Sequence, residues 1–338
     1  MPTDAEFLKS LIFKGMSRRG ALAEFADSLH PSDSQSLRGA VMSARESAAA
    51  ADVVKLVRPS DEELDLYGVT HPGKVRPENQ DHFLVCTVHP QVVIHGTSLP
   101  NPETLPLRGT RLATILVVAD GVGGADSGSD AARLATEAIM RYVSSTLRCY
   151  HAAGQASDDE FLEALRAAAL EAHERVRSEA AQRTGKKQMA TTLTLAIAVW
   201  PWLYVVQVGD SRAYFYLDGT IRQLTKDQTI GQDLVDKGVL PRERLERSPF
   251  RNVLSSAIGA DEALPVVTRV DISERGSLVM LCSDGLIKHV NDDEITEAFN
   301  NIKSSEQVAT ELLDLALSRG GSDNITIIVG RAPLRASA

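Results

Sequence analysis

Four aspartates stand in the sequence where an apolar run stops. Asp120 follows the run 114–119, Asp284 follows 278–283, Asp210 closes 203–208 within Val-Gly-Asp-Ser-Arg, and Asp323 precedes 324–329 within Gly-Gly-Ser-Asp-Asn. If those runs are core strands, the four carboxylates would repel one another unless cations lay between them. Ligation by oxygen alone suits Mg²⁺ or Mn²⁺, not Zn²⁺. Asp-Gly is also a hairpin signal, and Asp218-Gly219 reads as such a turn. After Asp120, by contrast, Gly-Val-Gly-Gly leads into a helix pattern and no partner strand is expected. Glycines there let the backbone approach an ion or a phosphate closely. Without a Gly-Lys-Ser/Thr ending the loop is no nucleotide P-loop. Upstream, the stretch 73–81 offers Arg76, whose planar fork can hold two phosphate oxygens, and Asp81, a carboxylate able to orient a metal-bound water. Taken alone, Arg76 reads as a surface arginine.

The elements that must position these residues are legible from periodicity. Runs rich in Val, Ile, Leu and Thr predict strands over 83–88, 112–119, 191–199, 203–208, 213–217, 278–282 and 325–329. Between the second and third, helices are predicted over 130–147 and along Leu162, Leu165, Ala169, Ala172 and Val176, whose spacing makes one apolar stripe. A further helix carries Val308, Leu312, Leu313, Leu315 and Ala316. Tight turns between consecutive strands imply antiparallel pairing with helices on the outer faces, an α+β sandwich. Residues 1–60 read differently, as a helical extension broken at Pro31, and 58–63 reads as a linker into a domain over 61–334. As an appendage, the extension suits packing or the docking of a partner.

The 338 residues, 43% of them hydrophobic, are enough for a sizeable core. A net charge of -9 argues against a nucleic-acid partner. Cys86, Cys149 and Cys282 lie far apart with no Cys-x-x-Cys pair, which excludes a zinc knuckle and a disulfide framework, and Cys86 and Cys282 sit in apolar runs as buried thiols. No run approaches the ~18 apolar residues of a membrane span. The expected setting is a reducing cytoplasm.

Seven segments together resemble the metal-dependent protein phosphatases of the 2C type, especially their bacterial members. They are Val-Arg-Pro-Glu-Asn-Gln-Asp (75–81), Val-Ala-Asp-Gly-Val-Gly-Gly (118–124), Met-Ala-Thr-Thr-Leu (189–193), Val-Gly-Asp-Ser-Arg-Ala (208–213), Leu-Thr-Lys-Asp (224–227), Leu-Cys-Ser-Asp-Gly-Leu (281–286) and Gly-Gly-Ser-Asp-Asn-Ile-Thr (320–326). They come in the family's order across residues 68–331, about four fifths of the chain. The resemblance implies a β-sandwich of two antiparallel sheets flanked by helix pairs, with the metal site at one edge. It makes Asp120 the carboxylate bridging two metals and the carbonyl of Gly121 a ligand of the first. Asp284 and Asp323 complete the second, and Asp210 with Asp284 matches the weaker third site of bacterial members. Arg76 corresponds to the phosphate-binding arginine and Asp81 to the acid that contacts metal-bound water.

The implied activity is hydrolysis of phosphoserine and phosphothreonine in proteins by a water shared between Mn²⁺ or Mg²⁺ ions, two or three per site, reversing a Ser/Thr kinase in a protein expected to be monomeric. Three departures stand out. Gln80 replaces a frequent Glu and predicts weaker metal binding; Val122 replaces a histidine of animal members that can protonate the leaving alkoxide; Gln228 replaces a frequent His. Residues 89–110 lengthen a usually short connection, and 227–260 match the family's variable flap. Two rival readings are a pseudophosphatase that binds phosphoproteins without hydrolysing them and a dedicated phosphatase of a sigma-factor or secretion switch. The first could tolerate loss of aspartates, yet all four remain.

Overall fold

The computed structural model describes residues 57–333 except 96, 99, 102–103, 124, 154–157 and 184–188, so the helical extension expected over residues 1–60 lies outside the described residues up to residue 56. Why the central strands read as unbroken apolar runs is plain from what each face meets. In β3 (Ala113–Ala119) every residue is buried. Ile115 and Val117 pack with helix side chains on one face, while Leu116 and Val118 pack between the sheets on the other. The same alternation divides β11 (Leu278–Cys282), with Met280 and Cys282 outward under helices and Val279 and Leu281 inward. A strand covered on both sides has no polar face, so its period of two is invisible in the sequence.

The first sheet adds β1 (Asp65–His71), β8 (Arg212–Leu217), β9 (Thr220–Gln223) and β12 (Ile325–Arg331), in the order β1-β12-β11-β8-β9. The second combines β3 with β2 (His82–Val88), β6 (Leu193–Val199), β7 (Trp202–Val208) and β10 (Val266–Asp271), in the order β10-β7-β6-β3-β2. All pairings are antiparallel. Helices α1 (Ala125–Ala153) and α2 (Asp158–Gln182) cover the second sheet through Ile139, Val143, Phe161, Leu165 and Val176. On the first sheet, α5 (Asp292–Asn300) and α6 (Ser305–Ser318) place Ile295, Phe299, Val308 and Leu312. Between the two helix pairs in sequence come α3 (Ile230–Asp236), in the flap, and the short α4 (Asp284–Ile287). The two-sheet α+β sandwich flanked by helix pairs is therefore present. No described helix is long and apolar enough to cross a membrane.

Three local expectations need correction. Asp120 is followed by a strand after all: Gly121–Val122 (β4) pairs with Ala190–Thr191 (β5) before α1 begins, so the run predicted over 191–199 is cut at Thr192. The stretch 58–63 is not a free linker. Arg111 donates to the carbonyl of Pro59 and to Asp61, and Arg275, with 0% of its side chain exposed, is ion-paired with Glu63 at 2.8 Å. Guanidinium groups buried in the body need partners, which fixes this segment against it. Cys282 is buried as expected, but Cys86 is only half-buried. The Asp218-Gly219 turn stands, with φ of 48° and 80° joining β8 to β9.

Candidate active site

Strand ends on one edge of the sandwich deliver the acids to a single cleft of about 720 Å³. Asp120 arrives from the end of β3, Asp210 from the β7–β8 turn, Asp284 from the first turn of α4 and Asp323 from the loop before β12; all four line the cleft with Arg76 and Gly121. The backbone around Asp120 is fixed from both sides. Its N–H donates to Thr192 Oγ1 at 3.0 Å, and its carbonyl accepts from the Thr192 N–H and Thr191 Oγ1, both at 2.9 Å. Thr192 Oγ1 in turn meets Ser211 Oγ at 2.7 Å, which ties the Asp120 strand to the Asp210 turn.

The loop carrying Arg76 and the loop carrying Asp323 are held together by backbone-level contacts. Asn324 donates through Nδ2 to the carbonyls of Pro72 and Glu78 and accepts the Gln80 N–H on Oδ1. Gly73 (φ 79°) lies so close that an added Cβ would stand 2.2 Å from the Asp323 carbonyl, so only glycine fits there. Arg76 forms a two-point pair with Asp323, Nε to Oδ1 at 2.7 Å and Nη2 to Oδ2 at 2.9 Å, while 56% of its side chain stays exposed. That planar grip on two oxygens is the geometry a phosphate would use.

Asp81 sits behind the cleft and does not line it. It is 3% exposed, and its Oδ2 accepts from Ser283 Oγ and Thr326 Oγ1, each at 2.7 Å. Its other oxygen, Oδ1, is buried with no hydrogen-bond partner. A buried carboxylate oxygen left bare costs free energy, and a cation or its water in the cleft would satisfy it.

The electrostatics report the crowding. Burial, then the charges of Asp81, Asp284, Asp210 and Asp323, push the Asp120 carboxyl well above the usual range. Burial likewise raises Asp81 to about 6 and, with Asp284 and Asp227 adding to it, Asp210 to about 8. Asp284 is raised by burial although Lys288 opposes the shift. For Asp323 burial also works against ionisation, but hydrogen bonds from Arg76 and Lys288 outweigh it and hold its carboxyl below the usual range. An all-oxygen set in which three of the four carboxylates are raised, with a buried oxygen of Asp81 behind it that accepts no hydrogen bond, fits hard divalent cations. As the side chains stand, no three His, Cys, Asp or Glu among the described residues are arranged to hold an ion. Asp284 and Asp323 turn instead to Lys288, whose Nζ lies 2.6 Å and 2.7 Å from them.

Sequence reasoning named the acids and Arg76 but missed Ser283, Thr326 and Lys288. The first two lie inside the Leu-Cys-Ser-Asp-Gly-Leu and Ser-Asp-Asn-Ile-Thr segments, and Lys288 is four residues past Asp284, the spacing that puts two side chains on one helical face. Val122, 41% exposed, lines the cleft with no proton to give. Asn252, Val253 and Leu254 of the flap close its far side.

The chain is similar to known proteins. The chain is 33% identical over 234 residues to "Serine/threonine protein phosphatase PstP" of Mycobacterium tuberculosis, a match covering 69% of this chain but only 43% of that protein's length. To "Serine/threonine phosphatase stp" of Listeria welshimeri it is 28% identical, over 77% of this chain and 92% of that one. Among solved structures, the M. tuberculosis phosphatase superposes with a TM-score of 0.61 at 29% identity, over 80% of this chain and 99% of that one. A catalytic domain of PstP solved with two manganese ions gives 0.59 at 28% identity, over 80% and 98%. The protein phosphatase 2C model matches residues 105–315, which take in three of the four cleft aspartates, the first helix pair and most of the second, and the chain therefore belongs to the protein phosphatase 2C family.

Proposed function

We propose that this chain removes phosphate from phosphoserine and phosphothreonine in proteins by direct attack of water, with divalent cations held in the cleft. One observation carries the reading: four aspartates from four separate elements crowd one cleft beside an exposed guanidinium that already grips two oxygens of an anion. Asp120 would bridge two ions with the Gly121 carbonyl on the first, Asp284 and Asp323 would hold the second, and Asp210 with Asp284 a third. The related domain solved with two manganese ions supports Mn²⁺ as one occupant. Such ions, when bound, supply the Lewis acidity that makes water nucleophilic near neutral pH.

The chain's own residues supply the rest. Arg76 turns from Asp323 to the phosphate and holds two non-bridging oxygens, which orients phosphorus for in-line displacement and neutralises charge. Asp81, held behind the cleft by Ser283 and Thr326, would orient the nucleophilic water through Oδ1, the oxygen that those two hydroxyls do not occupy. Val122 cannot protonate the leaving seryl or threonyl oxygen, so that proton must come from another donor in the cleft, and water is the donor we assign. The substrates are phosphorylated proteins and the opposed enzyme a Ser/Thr kinase; free thiols at Cys86 and Cys282 suit a reducing cytoplasm. The test is Mn²⁺-dependent release of phosphate from a phosphothreonine peptide. Release that EDTA abolishes is expected; peptide binding without release under saturating Mn²⁺ would sink the hydrolase reading in favour of a phosphoprotein binder.

A further inference from the structure

Asp323 has no free acceptor position. An ionised carboxylate offers about four lone-pair sites, and here each oxygen receives two donors. Oδ1 accepts Arg76 Nε at 2.7 Å and the Asn324 N–H at 3.0 Å. Oδ2 accepts Arg76 Nη2 at 2.9 Å and Lys288 Nζ at 2.7 Å. The same ammonium lies 2.6 Å from Asp284 Oδ2. A divalent ion shared by Asp284 and Asp323 must therefore displace a donor. The Asn324 amide is backbone and cannot leave. Withdrawal of Arg76 frees Asp323 alone. Departure of Lys288 clears a position on both acids at once, on Oδ2 of each, which is the side that an ion shared between those two oxygens would need.

We propose that Lys288 is a resident counter-ion of the Asp284–Asp323 pair that competes with the second divalent cation and so sets the metal affinity of that position. The inference rests on the assignment of these two acids to a metal. A fixed positive charge already neutralises much of the repulsion that would otherwise draw an ion in, so the second ion gains less on binding than it would between unpaired carboxylates. Lys288 also has somewhere to go. It sits just past the end of α4 on a flexible four-carbon stem, and it lines a second basin of about 390 Å³ that adjoins the cleft, where Asp227 and Glu246 are paired with Arg212 and Arg251 and an arriving ammonium would share them. The ammonium can swing there when the metal enters.

The experiment is Mn²⁺ titration by calorimetry of the wild-type protein, Lys288→Met and Lys288→Arg, with thermal unfolding of each in EDTA and at saturating Mn²⁺. Methionine keeps the stem and removes the charge; arginine keeps the charge. The expected result is that the second Mn²⁺ step, the one assigned to Asp284 and Asp323, tightens about tenfold or more in Lys288→Met, the change expected for loss of one competing ion pair worth ~1.4 kcal/mol. The Met variant should also melt lower than wild type in EDTA and level with it at saturating Mn²⁺. Lys288→Arg should keep the wild-type affinity within a few-fold. Unchanged affinity in a folded Lys288→Met, checked by circular dichroism, would overturn the proposal, as would an arginine variant as tight as the methionine one. If Lys288→Met does not fold, Lys288→Gln is read in the same way. A wild-type protein that takes up no Mn²⁺ would overturn both this inference and the metal assignment, whereas normal Mn²⁺ uptake with no effect at Lys288 would overturn this inference alone.

Discussion

Asp120 carries the heaviest electrostatic load of any residue in the cleft, since Asp81, Asp284, Asp210 and Asp323 all act on it. Its replacement by asparagine should therefore have two effects of opposite sign. Turnover at saturating Mn²⁺ should fall ~100-fold or more, because a carboxylate proposed to bridge two ions is lost from an electrostatically driven reaction. The metal-free protein should become more stable, by about 2–4 °C in Tm, the shift that ~1 kcal/mol produces in a domain of this size. Near-normal kcat in Asp120→Asn would remove the residue from the mechanism, and a lower metal-free Tm would contradict the repulsion. Arg76 makes a different argument. Its bidentate fork is what lysine lacks, so Arg76→Lys should lose ~10-fold or more in kcat/KM on a phosphothreonine peptide. Equal kcat/KM would mean that charge alone suffices. At this scale much was legible: an aspartate after an apolar run, three times over, a fourth aspartate just ahead of one, and an arginine just before a strand are visible in the chain. Lys288 was legible only in part: its place four residues past Asp284 is in the chain, but its second partner, Asp323, is brought to it by the fold.

Elements set these positions through close packing as much as through hydrogen bonds. Gly285 is the first example. A Cβ there would stand 1.9 Å from the Asn324 carbonyl, so α4 and the loop before β12 meet backbone to backbone between Asp284 and Asp323. Gly285→Ala must push those two acids apart. Overpacking typically costs 1–3 kcal/mol, occasionally more, so Tm should drop by several degrees and the second Mn²⁺ step should lose affinity in calorimetry; an unchanged second step would show that the Gly285–Asn324 contact does not position the acids. The elements themselves were read with uneven success, and the reasons are physical. Strands buried on both faces, such as β3 and β11, announce themselves by unbroken apolar runs. The edge strands β1, β9 and β10, which are mostly half-buried or exposed, have no such run and went unread. Helix α5 did carry a signal, since the Asn291–Glu294 capping box lies in the sequence. The pinning of 58–63 was beyond reach, because Arg111 and Arg275, which fix it, lie far along the chain.

For the molecule as a whole, the acid cluster couples metal uptake to pH. Asp81 and Asp210, raised to about 6 and about 8, hold protons in the metal-free fold that they would release when unfolded, as does Asp120. Where the folded state binds more protons than the unfolded one, stability falls as pH rises. These groups therefore erode the metal-free fold between the ordinary carboxylate range and about pH 8. His82 and His173 work in the opposite sense: burial lowers both, so their contribution to stability grows as pH rises towards the ordinary histidine value. The absolute Tm mixes the two trends, but the rise in Tm on adding Mn²⁺ largely cancels the histidine part. Cations need ionised carboxylates, so that rise should be small at pH 5.5 and grow steadily to pH 8. Calorimetric titration at pH 7 in buffers of different ionisation enthalpy should show protons released as Mn²⁺ binds. A Mn²⁺-induced rise in Tm that is flat across this range, with no proton release, would mean that the carboxylates are already ionised without metal. The crowding that makes this cleft a cation site would then be compensated by Lys288, Arg76 and solvent alone.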